Sequence, residues 1–449
     1  MRNLYLKKPL SLLLLLSLTL LFVTSCGDVM PQNAQVVDAS VEVSASSGQE
    51  SASADDDTVS GDADASGGGT AADEGASASE ADSAKESSFD ADLRFALEQG
   101  DAVAEDSYAL MCEIAAEFPD RDARRIGNDH AACRDWLAWQ LRELAPTAEF
   151  TEQPFVSKDV AANENADMVN LMLTLPGVDT SKQIIIGAHY DGTGIGDNAS
   201  GVALSLALIR ALSGRTPDVT LRFLFFDDEE YGEYGSYAYT EAMTKEERDA
   251  TLFYINIDSV AFGDYCHLYG GVSSQADGSV TQTEAYDLAM QRAKALGFSV
   301  YDTAYLDGYF ERTGAAPPTD DMGFFTNPWT REHPMPSVDT VYEDLAVFSP
   351  ATVPYSDHHP FAELGIPYLY LEATNWFAKG TNPKLAYTGY YETADATLGE
   401  GGMFMNTEYD TEEVLEQLFP GRAQAHFKLY APLLLSLLLQ PEHGGEVKK

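Results

Sequence analysis

Basic residues are scarce in this chain. It has 27 Lys and Arg against 72 Asp and Glu, a formal net charge of −45 over 449 residues. A field of that sign repels phosphates and anionic headgroups, so neither nucleic acid nor electrostatic docking on lipid is expected. Cysteine is rarer still, at four, and no zinc-finger spacing is present. Cys26 lies near the N-terminus; Cys112, Cys133 and Cys266 cannot all pair internally. Cys112 and Cys133 fall on neighbouring predicted helices and either bridge or stay as buried free thiols. Between Gly27 and Ser88 there is no aromatic residue and one basic one, Lys85. Such a tract buries too little apolar surface to offset its ordering entropy. Residues 27–89 therefore read as a disordered, self-repelling acidic stalk. No internal repeat is visible.

What precedes the stalk is apolar. Arg2, Lys7 and Lys8 lead into Leu10 to Val23, a run shorter than the roughly 20 residues a spanning helix needs. Val23-Thr24-Ser25-Cys26 resembles a bacterial lipobox, which implies cleavage before Cys26 and acylation of its thiol; the alternative is an ordinary secretory signal. The expected organisation is a signal peptide over 1–26, the stalk over 27–89, a folded domain over 90–440 and a tail over 441–449. The expected location is extracytoplasmic, anchored to a bacterial membrane through lipid alone.

Regular structure is expected from about Phe89. Residues 90 to 118 and 129 to 144 have helical periodicity, and β-like runs follow at Glu149–Val156 and Met168–Leu175. An alternation comes next: strand Gln183–Ala188, helix Ala199–Leu212, strand Val219–Phe226, helix Ser236–Met243, strand Leu252–Ile257. Alternation of this kind predicts an α/β fold, a mixed, mainly parallel twisted sheet with helices on both faces. A helix at Thr283–Leu296, a strand at Pro367–Leu371 and a helix around Arg422–Leu439 complete it. Residues 300 to 350 are rich in Tyr, Pro and Asp. Their aromatics, among them Tyr301, Tyr305, Tyr309, Phe310, Phe324, Phe325 and Trp329, form either loop core or a wall over the site.

Three predicted strands end in ionisable groups. The first ends in His189-Tyr190-Asp191 with Asp197 beyond, the second in Asp227-Asp228-Glu229-Glu230, the third in Asp258. Ligands of open parallel sheets bind outside the carboxyl ends of the strands, so these groups are expected to converge. Carboxylates sharing a cleft repel unless a cation sits among them, and imidazole plus carboxylate suits zinc. The loop Gly192-Thr193-Gly194-Ile195-Gly196-Asp197 invites a phosphate-loop reading, but Asp197 occupies the final glycine position and carries the wrong charge. A metal fits better.

With these residues in view, the chain resembles metallopeptidase family 28, the co-catalytic zinc aminopeptidases, and more distantly their glutaminyl cyclase relatives. The matching residues are His189-x-Asp191, Asp197-Asn198-Ala199-Ser200-Gly201, Glu229-Glu230-x-Gly232, Asn256-x-Asp258, and Ser356-Asp357-His358 with Pro360-Phe361 and Gly365-Ile366-Pro367. The resemblance implies a zinc exopeptidase (phosphorylase/hydrolase-like) fold and two Zn2+ ions. It implies His189 and Asp258 on one zinc, Asp197 bridging, Glu230 on the other, Asp191 orienting His189, and Glu229 as general base. Peptides with a free N-terminus would be the substrates.

One ligand departs from the pattern. Where the family has a histidine in a late H-T-x-x-D-T box, this chain has Asn406-Thr407-Glu408-Tyr409-Asp410-Thr411. Asn406 is the expected counterpart, with Glu392, His358 and His359 as alternatives. Competing readings are a glutaminyl-cyclase-like acyltransferase, a non-catalytic or weakly active relative, and a deacylase or carboxypeptidase. Asp227 and Asp228 read as structural or rim residues; His130, His267, His333, His426 and His443 read as surface or packing histidines.

Overall fold

The computed structural model describes residues 88–273, 280–281, 283–301, 312, 323–326, 356–374 and 404–441. The signal-like segment with Cys26, the stalk over 27–87, Glu392, most of 300–350 and residues 442–449 lie outside the described residues.

Two helices open the described chain, α1 (Ser88–Glu117) and α2 (His130–Leu144). Strands β1 (Glu149–Val156) and β2 (Asp167–Leu175) form an antiparallel pair at one edge of the sheet. Then follow β3 (Asp179–His189), α3 (Ala199–Leu212), β4 (Val219–Phe226), α4 (Tyr234–Ala242), α5 (Lys245–Ala250) and β5 (Thr251–Ile257). Strand β6 (Tyr265–Ser273), the short β7 (Val280–Thr281), α6 (Glu284–Ala295), β8 (Ser299–Tyr301) and β9 (Gly323–Thr326) come next. Helix α7 (His358–Glu363), β10 (Tyr368–Thr374), α8 (Glu412–Leu418) and α9 (Arg422–Leu439) complete the elements.

The sheet runs β1-β2-β4-β3-β5-β10-β6-β9-β8, with β7 beside β6. Its centre, β4-β3-β5-β10, is parallel; β2 joins β4, and β6 joins β10, antiparallel. The mixed, mainly parallel sheet is thus observed. Strand β3 shows why it is covered on both sides. Ile184, Ile186 and Ala188 face a large core with α1, α2, α3, α6 and α9, while Ile185 faces a smaller one with Tyr239 of α4 and Phe361 of α7. Period-two alternation with both faces apolar is the mark of a buried parallel strand.

Some details differ from expectation. Helix α4 begins two residues early, at Tyr234, because Glu233 (φ 52°) turns the chain sharply into it. Strands β6, β7, β8 and β9 and the short helices α5, α7 and α8 were not expected; β6 (YCHLYGGVS) contains two glycines, β7, β8 and β9 are two, three and four residues long, and the helices have six or seven residues, so their patterns are weak. Of the two alternatives for Cys112 and Cys133, free thiols are observed; Cys266 is free as well.

Candidate metal centre

Register places the functional groups side by side. His189 ends β3 opposite Phe226, the last residue of β4, while Gly187 pairs with Asn256 two residues before Asp258. Three adjacent parallel strands therefore deliver His189, the Asp227–Glu230 run and Asp258 to one crevice.

The loop after β3 is held by its own side chains. Asn198 caps α3 by accepting from Gly201 N (2.9 Å); it also accepts from Ser259 N (3.2 Å) and donates to Ile257 O (2.9 Å). Ser200 Oγ donates to Gly196 O and accepts from Val260 N. The loop is so fastened to the end of β5 that Asp197 and Asp258 cannot drift apart independently. Glycine is needed where the loop passes close to other carboxylates. A Cβ on Gly194 would lie 2.0 Å from Asp410 Oδ2, and one on Gly192 (φ 104°) would lie 2.6 Å from Glu230 Oε1.

His189 stands at the centre. Its Nε2 lies 3.1 Å from Asp197 Oδ1, 3.3 Å from Asp258 Oδ1 and 3.9 Å from Glu229 Oε2; its Nδ1 lies 3.3 Å from Asp191 Oδ1. A tetrahedral zinc with ligands at ~2.0 Å has ligand–ligand edges of ~3.3 Å, so the first two spacings fit that ion. Asp258 is oriented in turn. It accepts from Ser259 Oγ (3.1 Å) and from Ser356 Oγ (2.7 Å), which itself accepts from Asn256 Nδ2. This gives Asn256 and Ser356 a physical reason for their places. Asp191 accepts from the backbone N–H of both Glu229 (3.2 Å) and Glu230 (3.3 Å), so one carboxylate fixes the imidazole and the glutamate pair together.

The turn bearing the glutamates is tight. Asp228 (φ 57°) and Glu233 (φ 52°) adopt left-handed backbone at either end, and Glu229 O accepts from Gly232 N and Glu233 N. Buried Asp228 is paired by Arg124, whose guanidinium also covers the rings of Tyr231 and Tyr234. Asp227, also buried, accepts from Tyr190 OH (2.7 Å) and Val169 N and contacts His130 Nε2 (2.7 Å). Both aspartates are structural, as expected of them, and His130 is a packing histidine behind the site. Buried His267 and His426 are the same in kind.

Asn406 does reach the cluster. Its Nδ2 donates to Asp197 Oδ2 (3.1 Å), its Oδ1 accepts from Thr193 Oγ1 (3.2 Å), and its backbone N donates to Asp410 Oδ2. Asp197 therefore shows one oxygen to His189 and the other to Asn406. The histidine alternatives are not brought in. His358 stacks on Tyr370, and His359 faces Tyr237 and Glu363. Among the described residues, two groups of His, Cys, Asp or Glu have the spacing to hold an ion: His189 with Glu229 and Asp258, and His189 with Asp197 and Glu230.

Electrostatics follows from the crowding. Burial alone would push the His189 imidazole down, but Glu229, Asp258, Asp191 and Asp197 hold it well above the usual histidine range. Withdrawal from water lifts Glu229 well above the usual carboxylate range; His189 opposes this, and Asp357, Asp258 and Glu230 add to it. Burial lifts Asp197 as well. Asp258 goes the other way: burial would raise it, but His189 and the Ser356 and Ser259 hydroxyls hold it down. A divalent cation would relieve this repulsion.

The sequence reading missed Arg121. Its buried guanidinium donates to Phe118 O (2.9 Å) and Gly194 O (2.7 Å), and its backbone N to Gly192 O (2.9 Å). It clamps the metal loop from the segment between α1 and α2. The available signal was the scarcity of basic residues set against three arginines in DRDARR.

Residues 170–327 match the model of peptidase family M28. The M28 match contains His189, Asp191, Asp197, Glu229, Glu230 and Asp258, and stops short of Asn406. The chain is also similar to "probable leucine aminopeptidase 2" of Aspergillus oryzae, 31% identical over 116 residues, 25% of this chain and 23% of that protein. A "probable zinc metalloprotease" of Pyricularia oryzae is 32% identical over 152 residues, 30% of this chain and 29% of that one. The chain thus spans about a quarter of the length of the curated relatives it matches. Among solved structures, the zinc aminopeptidase BSAP of Bacillus subtilis aligns with a TM-score of 0.40 at 17% identity, over 62% of this chain and 52% of that one. A glutaminyl cyclase of an Acidobacteriales bacterium aligns with a TM-score of 0.48 at 16% identity, over 76% and 95%.

Proposed function

We propose that this chain is a zinc-dependent M28 aminopeptidase that hydrolyses N-terminal residues from peptides. The observation that carries the reading is the set of contacts around His189 Nε2: two carboxylate oxygens at zinc-ligand spacing, with the Glu229 carboxylate beside them. His189, Asp197 and Asp258 would hold one zinc; Asp197 and Glu230, with Asn406 beside them, offer a second position. Zinc, when bound, polarises the scissile carbonyl and makes water a stronger acid.

The protein's own groups do the rest. Glu229 takes a proton from the attacking water onto its carboxylate and passes it to the leaving amine, and its raised proton affinity suits both steps. Asp191 keeps Glu229 and His189 in one frame through its backbone and ring contacts. A free α-amino terminus is attracted by the same carboxylates, which makes the enzyme an exopeptidase. The lipobox-like VTSC segment supports lipid attachment at Cys26, placing the domain outside a bacterial membrane on its acidic stalk. An intact His189–Asp258 contact favours the peptidase over a cyclase, which in the resembling family relies on Asp197, Glu230 and a histidine that is Asn406 here.

The test is a mixed peptide library incubated with the purified protein, with and without chelator and added zinc, products being read by mass. Loss of single N-terminal residues, stopped by chelator and by Glu229→Gln, is expected. Absence of cleavage with excess zinc, in the protein itself and in Asn406→His, would overturn the reading.

A further inference from the structure

The two positions around Asp197 differ in donor chemistry. On the Oδ1 side the donors are an imidazole nitrogen and two carboxylates: Asp197 Oδ1 and Asp258 Oδ1 lie 3.1 and 3.3 Å from His189 Nε2. The other position has Asp197 and Glu230, with the Asn406 amide beside Asp197 Oδ2; His189 is within reach of this group too, but its Nε2 serves one ion only, so once it is committed to the first position the remaining donors are oxygens. The ligand atoms of His189, Asp197 and Glu230 lie within 4.8 Å of one another, so the two positions are close. Gly192 leaves open the space beside Glu230 Oε1 that a Cβ would fill.

Asn406 is placed to serve as a ligand without rearrangement of the backbone. Asp410 holds its N–H at 3.0 Å, and its left-handed conformation (φ 55°) is one asparagine tolerates. Its Nδ2 now donates to Asp197. A half-turn of the amide would point Oδ1 at the same spot. Thr193 Oγ1 contacts the other amide atom and satisfies either orientation, since a hydroxyl both donates and accepts. After the flip Asn406 Oδ1 and Asp197 Oδ2 face each other as two acceptors, an arrangement that a cation between them satisfies.

Oxygen-only sites favour hard cations that keep several waters, whereas imidazole favours zinc. Building on the zinc-peptidase reading above, we propose that this protein carries a mixed metal pair. Zinc occupies the His189–Asp197–Asp258 position, and a hard, oxygen-preferring divalent cation of the manganese or magnesium class occupies the Asp197–Glu230–Asn406 position.

The experiment loads metal-free full-length protein with Zn2+ and Mn2+ together, removes free ions and counts both by elemental mass spectrometry, with electron paramagnetic resonance on the bound Mn2+. One zinc and one manganese per chain are expected, the manganese being displaced by excess Mg2+. Asn406→His should convert the pair to two zincs, raising affinity for the second zinc by at least about tenfold. Glu230→Gln should lose manganese and keep the zinc. Two tightly held zincs in the unaltered protein with no bound manganese would overturn the proposal, as would an Asn406→His variant with unchanged zinc-to-manganese ratio. Retention of manganese without any zinc would instead sink the zinc-peptidase reading, and this inference with it.

Discussion

Replacing Arg124 by methionine keeps most of the side chain's length while stripping a buried carboxylate of its counter-charge. Arg124 is 6% exposed and Asp228 0%, and the contacts are two-pronged, Nε to Oδ1 at 3.0 Å and an Nη to Oδ2 at 3.4 Å. The figure of a few tenths of a kcal/mol for surface pairs does not apply here. Breaking a buried pair on one side costs about 3–5 kcal/mol. Losing the guanidinium from the faces of Tyr231 and Tyr234 adds roughly 0.5–1 kcal/mol. The double variant Arg124→Met/Asp228→Asn leaves no stranded charge and should return to within about 2 kcal/mol of the parent. A pH signature accompanies this. Burial already pushes Asp228 above the ordinary carboxylate range despite the pull of Arg124 and Ser157. Without Arg124 it rises further, and a raised folded-state value means stability that is present at low pH and lost as pH climbs through it. Urea unfolding of the single variant, referenced to the parent, should therefore show a larger loss at pH 8 than at pH 5. A single variant losing less than about 1 kcal/mol, or a double variant no more stable than the single, would refute the reasoning.

Four other outcomes are expected. Glu229→Gln should lower peptide turnover by about 10²–10⁴-fold while leaving the bound zinc, measured by elemental analysis, unchanged. Gly194→Ala would drive a methyl to within 2.0 Å of Asp410 Oδ2, so it should weaken ion binding in calorimetric titration. Asn198→Ala removes an α3 cap and two further loop bonds, and should cost about 2 kcal/mol or more in thermal or urea unfolding. Stripping the metal exposes the repulsion directly: His189, Glu229 and Asp197 are all shifted upward, so the ion-free protein loses stability as pH rises through their raised values. Its melting temperature should be lower at pH 8 than at pH 6, and a flat or rising profile would count against the cluster as described.

The strand-end chemistry was legible because apolar runs such as RFLFF stop abruptly at ionisable residues, and a parallel sheet gathers such ends. Asn406 was legible only through the resemblance of its segment to the family's late H-T-x-x-D-T box, and it lies against Asp197. Arg121 was not. It acts on Gly194 O across 73 residues of chain, through carbonyl groups that every residue possesses. Asp191 was read for its hold on His189, but its grip on the Glu229 and Glu230 amides depends on turn geometry that no side-chain pattern announces. Strands β8 and β9 are too short for periodicity to register.

The clamp formed by Arg121 bears on how divisible this protein is. The M28-matched segment, 170–327, contains six of the acidic and imidazole groups around the crevice, yet it lies entirely downstream of Arg121, Arg124 and His130 and upstream of Ser356, Asn406 and Asp410. An excised copy of that segment would keep its ligands and lose the scaffolding that aims them. Fusions, truncations and graftings of this site thus have a natural left-hand limit ahead of Arg121 and a right-hand limit beyond Asp410.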